Sequence, residues 1–171
     1  GGGYKVYKID GEQIDYINGN CMMYPNEIVL VATYNYDLIK RRGELLGEES
    51  MFATTPQMWS PGANFHRTPY GGRNFEYYSE DPNLGYLCAG TEVAAMRSKG
   101  VVTAIKHFVG NNQEPNRRGL ATFVNEQTFR ENDMRVFEGA FTIGKSNSTM
   151  TAFNRVGMRA FAQHDALQNE I

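Results

Sequence analysis

The sequence predicts an α/β fold built on a parallel sheet, and three observations carry that prediction. Strand-like and helix-like segments alternate along the chain. The run Val101 to Phe108, VVTAIKHF, is almost continuously apolar, as expected of a strand buried on both faces. Asp81-Pro82 sets an N-cap and a first-turn proline directly before a helical pattern. With 171 residues, the chain has the length of one domain.

Residues 1–23 carry no clear assignment. Pro25 to Thr33 is an apolar run without alternation, so strand and buried helix are both open. Tyr36 to Ser50 reads as a helix: Asn35 can cap it, and Leu38, Ile39, Leu45 and Leu46 fall near a 3.6-residue period. Gln57 to Gly62 is a short strand closed by Pro61-Gly62. Ala63 to Glu80 lacks helical periodicity and is rich in Gly, Arg and Tyr. The helix after Asp81 puts Leu84, Leu87, Cys88, Thr91 and Ala95 on one face and stops at Gly100. Glu126 to Gly144 is expected to be one helix, with Phe129, Val136, Phe137, Ala140 and Phe141 facing inward. Thr149 to Phe153 is the next strand, and Ala162 to Ile171 starts another helix. The strands near residues 57, 101 and 149 lie about 45 residues apart. A closed (β/α)8 barrel needs eight strands and typically ~250 residues. The chain therefore supplies part of such a barrel, or a small open sheet.

Composition narrows the function classes. There are 17 basic and 19 acidic side chains, a net charge of −2. No basic excess exists to track a phosphate backbone, so nucleic acid is not an expected partner. The apolar runs, such as Ile28 to Ala32, are too short to span a membrane. Cys21 and Cys88 lack metal-ligand spacing, and His66, His107 and His164 form no zinc pattern. No phosphate-cradling glycine loop occurs, so neither metal nor cofactor is expected. The chain opens on three glycines without a signal-peptide pattern, which leaves the compartment undecided. Aromatic residues make up 12%. That suits a carbohydrate site, although core packing is their commoner use.

Three segments can carry chemistry. Lys106-His107 ends an apolar strand, where parallel α/β folds place their sites. A lysine and a histidine there can grip a polyol; a solvated strand end is the competing reading. Arg73 opens a stretch with three carboxylates, Glu76, Glu80 and Asp81. A carboxylate pair would suit glycoside chemistry. Structural roles compete with it: Asp81 as a helix cap, Glu80 as a charge near the helix start, Glu76 as partner of a buried arginine. The third segment, Asn111 to Glu114 followed by Asn116-Arg117-Arg118, follows the Lys-His strand directly. Its amides suit sugar hydroxyls, though by composition it is an ordinary polar loop.

PGANFHRTPYGGRNFEYYSEDP (Pro61 to Pro82) closely resembles the signature region of glycoside hydrolase family three, the β-glucosidase family. The resemblance continues through Gly100 to Gly119, Asn125 to Asp133 and Met150 to Gly157, and covers Tyr24 to Ile171 in order. It implies that residues 1–171 are part of a single (β/α)8 barrel domain, and it implies a retaining, two-step hydrolysis of terminal β-glucosides. It assigns Arg73, Lys106 and His107 to the innermost sugar. Arg67 falls in the matching active-site loop, and Phe153, beside Asn154, in a strand end near the same sugar. Asp10-Gly11 corresponds to an Asp-Gly-Pro motif with Glu12 in place of proline; a plain turn is the alternative there.

The resemblance also implies that the nucleophile, an aspartate, and the acid/base both lie beyond Ile171. No catalytic residue is then expected in this chain. A β-glucoside or related oligosaccharide would be its ligand. The remainder of the same polypeptide, or a partner chain, would cover its sheet edges. A non-catalytic carbohydrate-binding or structural module derived from that fold is the alternative. Neighbouring side chains on a regular strand point to opposite faces. A bulge or a non-proline cis bond is therefore expected at or beside Lys106-His107.

Overall fold

The computed structural model describes residues 7–9, 12–14 and 21–170. An antiparallel pair, β1 (Tyr7–Ile9) and β2 (Glu12–Ile14), comes first. Two helices, α1 (Glu27–Val31) and α2 (Tyr36–Phe52), precede β3 (Gln57–Met58). A long loop with a 3-10 turn at Asn74–Glu76 leads to α3 (Pro82–Arg97) and β4 (Val102–Phe108). After β5 (Ala121–Thr122) come α4 (Glu126–Thr128), a π turn over Phe129–Asp133 and α5 (Arg135–Thr142). Then follow β6 (Ser148–Thr151), β7 (Arg155–Val156), β8 (Arg159–Ala160) and α6 (Asp165–Asn169).

The sheet is parallel, in the order β3, β4, β6. Its central strand is apolar because both faces are covered: Ala104, Ile105 and Phe108 are all buried. Phe108 meets Phe137 and Phe161 edge-on, with ring centres 5.0 and 5.6 Å apart. Helix α3 starts as its sequence dictates. The Asp81 carboxylate accepts from the amides of Asn83 and Leu84, two of the donors a helix start leaves unpaired. Asn35 does the same for α2. A small second sheet, β5–β7–β8, forms from the segments that follow β4 and β6.

Of the two alternatives for Pro25 to Thr33, the helix is the one formed, as the short α1. Three expectations need correction. In α2 the buried face is not the leucine face. It is Ile39, Gly43, Gly47 and Ser50, while Leu38 is exposed. Two glycines let α2 lie directly on α3, and a Cβ on Gly43 would meet the Glu92 carbonyl oxygen at 2.7 Å. Gln57 to Gly62 is not a continuous strand. Regular pairing stops at Met58 and resumes as a single bridge from Gly62 to Lys106. Glu126 to Gly144 is not one helix either. The π turn adds a residue, with the Met134 amide bonded to the Phe129 carbonyl. Asp133, four residues from both Phe129 and Phe137, is buried with them, and Phe141 is partly exposed.

Two expected outcomes follow from this packing. Gly43→Ala is expected to destabilise the protein by about 1–3 kcal/mol, the range for overpacking, although alanine is the better helix former. Leu38→Ala should stay within about 0.5 kcal/mol. Urea denaturation measures both. Among the described residues, the outer edges of β3 and β6 have no partner strand. Residues 1–171 expressed alone should therefore self-associate, as sedimentation would show; a monomer with one cooperative melt is the contrary outcome.

Candidate functional site

The carboxyl ends of β3, β4 and β6 open onto one group of loops, residues 59–80, 109–120 and 152–154. Segment 61–64 runs beside the end of β4. The Lys106 amide donates to the Pro61 carbonyl at 3.1 Å, and the Ala63 amide to the Lys106 carbonyl at 2.6 Å. Asn64, fully buried, then clamps the His107 peptide on both sides. Its Oδ1 accepts from the His107 amide at 2.8 Å, and its Nδ2 donates to the His107 carbonyl at 3.0 Å.

The expected irregularity is present. The register of β4 against β6 shifts between Lys106 and Phe108, and the Lys106-His107 and Phe108-Val109 peptides are cis. Both neighbouring side chains reach the same loop. Lys106 Nζ lies 3.3 Å from Glu76 Oε2, and His107 Nδ1 lies 3.3 Å from the Tyr77 hydroxyl. Arg73 Nε holds the other oxygen of Glu76. One carboxylate thus fixes two cations from separate segments, and the structure brings Arg73, Lys106 and His107 together around it.

The electrostatics follow from this geometry. Burial pushes the Glu76 carboxyl up. The Arg73 hydrogen bond and the charges of Lys106 and Arg73 outweigh burial and hold it below the usual carboxylate range. Glu76 is therefore ionised at neutral pH. Burial pushes the His107 imidazole down to about 4, helped by Arg73 and Lys106 and opposed by Glu76. His107 is therefore neutral, able to donate from one ring nitrogen and accept at the other.

The next layer comes from the loop after β4. Glu114 accepts from Asn111 at 2.9 Å and from Arg117 at 3.0 Å. It lies against Gly72, where a Cβ would meet its Cγ at 3.0 Å and where φ is +84°. Both space and backbone therefore require glycine before Arg73. The guanidinium groups of Arg117 and Arg118 sit over the Phe153 ring, 4.9 and 5.4 Å from its centre. Phe153 thus borders the cluster, half-exposed. Arg67 lies apart from it, stacked on Phe65 and paired with Asp133. Asp133 also accepts from Asn112 at 3.0 Å, so the π turn anchors the loop that carries Glu114. Asp10 lies outside the described residues.

Sequence reasoning missed Tyr77, Asn64, Asp133 and the pairing of Glu114. Of these pairings, only that of Glu76 with an arginine was expected, as the structural role competing with catalysis. An apolar cavity of about 300 Å3 lies elsewhere, lined by Phe108, Arg130, Met134, Phe137, Glu138 and Phe141. It contains none of these donors. Among the described residues, no three His, Cys, Asp or Glu side chains gather to hold a metal ion, and no helix is long and apolar enough to cross a membrane.

A parallel sheet with a cluster of hydrogen-bond donors at the carboxyl end of its strands is the arrangement in which α/β enzymes place their sites. The chain belongs to glycosyl hydrolase family 3: the family model for its N terminal domain matches residues 9–169. The fold is accordingly part of a TIM-type barrel. Thermostable β-glucosidase B of Acetivibrio thermocellus is 34% identical over 170 residues, which cover 99% of this chain and 22% of that protein. A β-glucosidase of Ruminococcus albus is 40% identical over 132 residues, 77% of this chain and 14% of that one. β-Glucosidase 3B of Thermotoga neapolitana, solved in complex with glucose, superimposes with a TM-score of 0.84 at 40% identity. That match covers 86% of this chain and 21% of the neighbour. The chain thus spans about a fifth of the length of such relatives.

The His107 environment gives a pH dependence. An unfolded histidine titrates near 6.5, whereas folded His107 stays neutral down to about 4. Between these values the unfolded state binds the additional proton. Stability from this group is complete above about pH 6.5 and is lost as pH falls toward 4. Unfolding free energy should therefore drop less steeply across that window in His107→Asn than in the wild type.

Proposed function

We propose that this chain forms the sugar-binding wall of a β-glucosidase that hydrolyses terminal β-glucosides with retention. One observation carries the reading: a single ionised carboxylate holds Arg73 and Lys106 beside a neutral histidine at the carboxyl end of parallel strands. Lys106 has three N–H donors and gives one to Glu76; the others can meet hydroxyls. Arg73 binds Glu76 through Nε, which leaves its terminal nitrogens for a second hydroxyl. Neutral His107 can serve a hydroxyl as donor or acceptor. The named activity of the relatives and their glucose complexes support glucose as the sugar.

Retaining hydrolysis needs a nucleophile and an acid/base about 5–5.5 Å apart. The carboxylates around the cluster are each engaged: Glu76 by Arg73 and Lys106, Glu114 by Asn111 and Arg117, Asp133 by Arg67 and Asn112. Glu76 is held ionised, so it is a poor proton donor. The reading therefore assigns binding to this chain and places both reacting carboxylates outside the described residues.

In the intact enzyme, Lys106→Ala should lower kcat/KM for an aryl β-glucoside about 10- to 100-fold, as expected for a charged donor worth about 1.5–3 kcal/mol. Glucose binding by calorimetry should weaken in parallel. Turnover by residues 1–171 alone, abolished by Glu76→Gln, would overturn the assignment.

A further inference from the structure

A neutral imidazole has one donor nitrogen and one acceptor, so the position of its proton decides what His107 offers a sugar. The Tyr77 hydroxyl lies 3.3 Å from His107 Nδ1, and the two rings meet edge-on at 76°. Both side chains are closed off by this chain's own residues, at 3% and 5% exposed. Further chain packed on the sheet would cover a contact that is already buried. One segment, residues 61–64, sets both partners. Gly62 lies against the Tyr77 ring, where a Cβ would meet Cδ1 at 2.9 Å, and Asn64 fixes the His107 peptide. Burial together with the charges of Arg73, Lys106 and Arg117, opposed by Glu76, keeps the imidazole neutral. Burial also raises the Tyr77 phenol above its usual range, so it keeps its proton. A buried O–H needs an acceptor, and among the described residues His107 Nδ1 is the one partner the phenol has. Nδ1 serves as that acceptor only when it is bare. A proton on Nδ1 would take the phenol oxygen and leave the O–H unpaired.

We propose that Tyr77 is a positioning residue: its hydroxyl donates to His107 Nδ1 and holds the imidazole in the tautomer protonated at Nε2. His107 then meets the sugar as a donor, like Arg73 and Lys106, whose side chains have no acceptor atoms. The hydroxyls gripped by this trio accept from it and pass their own protons to acceptors on other segments. This inference rests on the β-glucosidase reading and adds to it the direction in which the hydrogen bonds run. Tyr77 acts through His107.

The test records the ring-nitrogen NMR resonances of His107 in the intact enzyme, identified by their loss in His107→Asn. The wild type should show a proton on Nε2 and none on Nδ1. Tyr77→Phe keeps the ring and removes only the hydroxyl, so the Nδ1 resonance should shift more than that of Nε2. The same variant should lower kcat/KM for an aryl β-glucoside about two- to tenfold, the range of one neutral hydrogen bond. In a His107→Ala background it should cost nothing further. A proton on Nδ1 in the wild type, or a Tyr77→Phe loss that persists in full without His107, would overturn this inference and leave the glucosidase reading intact. A wild type that cleaves no aryl β-glucoside overturns the glucosidase reading, whereas the resonances decide the tautomer without any turnover.

Discussion

The site depends on one carboxylate. Glu76 sits in a single 3-10 turn and binds Arg73 from its own loop and Lys106 from the sheet. Without it two cations would face each other in a half-buried pocket, a repulsion that low local dielectric magnifies. The three side chains are partly exposed, so removing one partner costs less than the ~3–5 kcal/mol of a fully buried pair, and its main effect is to leave the other charge uncompensated. The surrounding hydrogen bonds keep this carboxylate in place. Asn74 Nδ2 donates to the Thr68 carbonyl at 2.8 Å, closing the loop on itself. The Asn64 clamp sets the strand end that presents Lys106 and His107.

A second polar cluster supports the same loop from the helix side. Arg42 of α2 reaches Glu27 of α1 and Glu92 of α3, and the Tyr78 hydroxyl donates to Glu92 at 2.7 Å. Tyr78 is the residue after Tyr77, which touches His107, so the helical layer and the sugar cluster are joined through two adjacent tyrosines. One guanidinium between two buried carboxylates is unequal compensation. Burial pushes Glu27 up to about 7, with Arg42 opposing and Glu92 adding to the rise. Such a cluster adds little to net stability compared with apolar packing, and its value lies in fixing which helix faces meet.

In the Glu126–Gly144 segment one carboxylate sits on the apolar face. Phe129, Asp133 and Phe137 lie four residues apart, so helical spacing sets all three on one side, and all three are buried. The π turn accepts one irregular residue, and the buried Asp133 then ties Arg67 to Asn112. Residue spacing alone cannot show this. The partners lie 66 and 21 positions away in sequence, and nothing in a 3.6-residue pattern encodes them.

The sequence by itself determined the parallel α/β class, a strand over Val101 to Phe108, the helix starts at Asn35 and Asp81, and the family. Each rests on local chemistry: a continuous apolar run, a capping side chain, or a motif long enough to be specific. It also singled out Arg73, Lys106 and His107, through their place in those motifs and, for the last two, at a strand end. Only the tertiary structure decided that α2 packs on α3 through Gly43 and Gly47, because a leucine stripe and a glycine stripe share the same period and close approach selects the smaller one. Only it decided that Glu76 joins Arg73 to Lys106, that Asn64 holds His107, and that Arg117 and Arg118 both lie over Phe153. These are contacts between segments 30 to 45 residues apart or more. Their energies depend on burial and distance, and the chain acquires both only on folding.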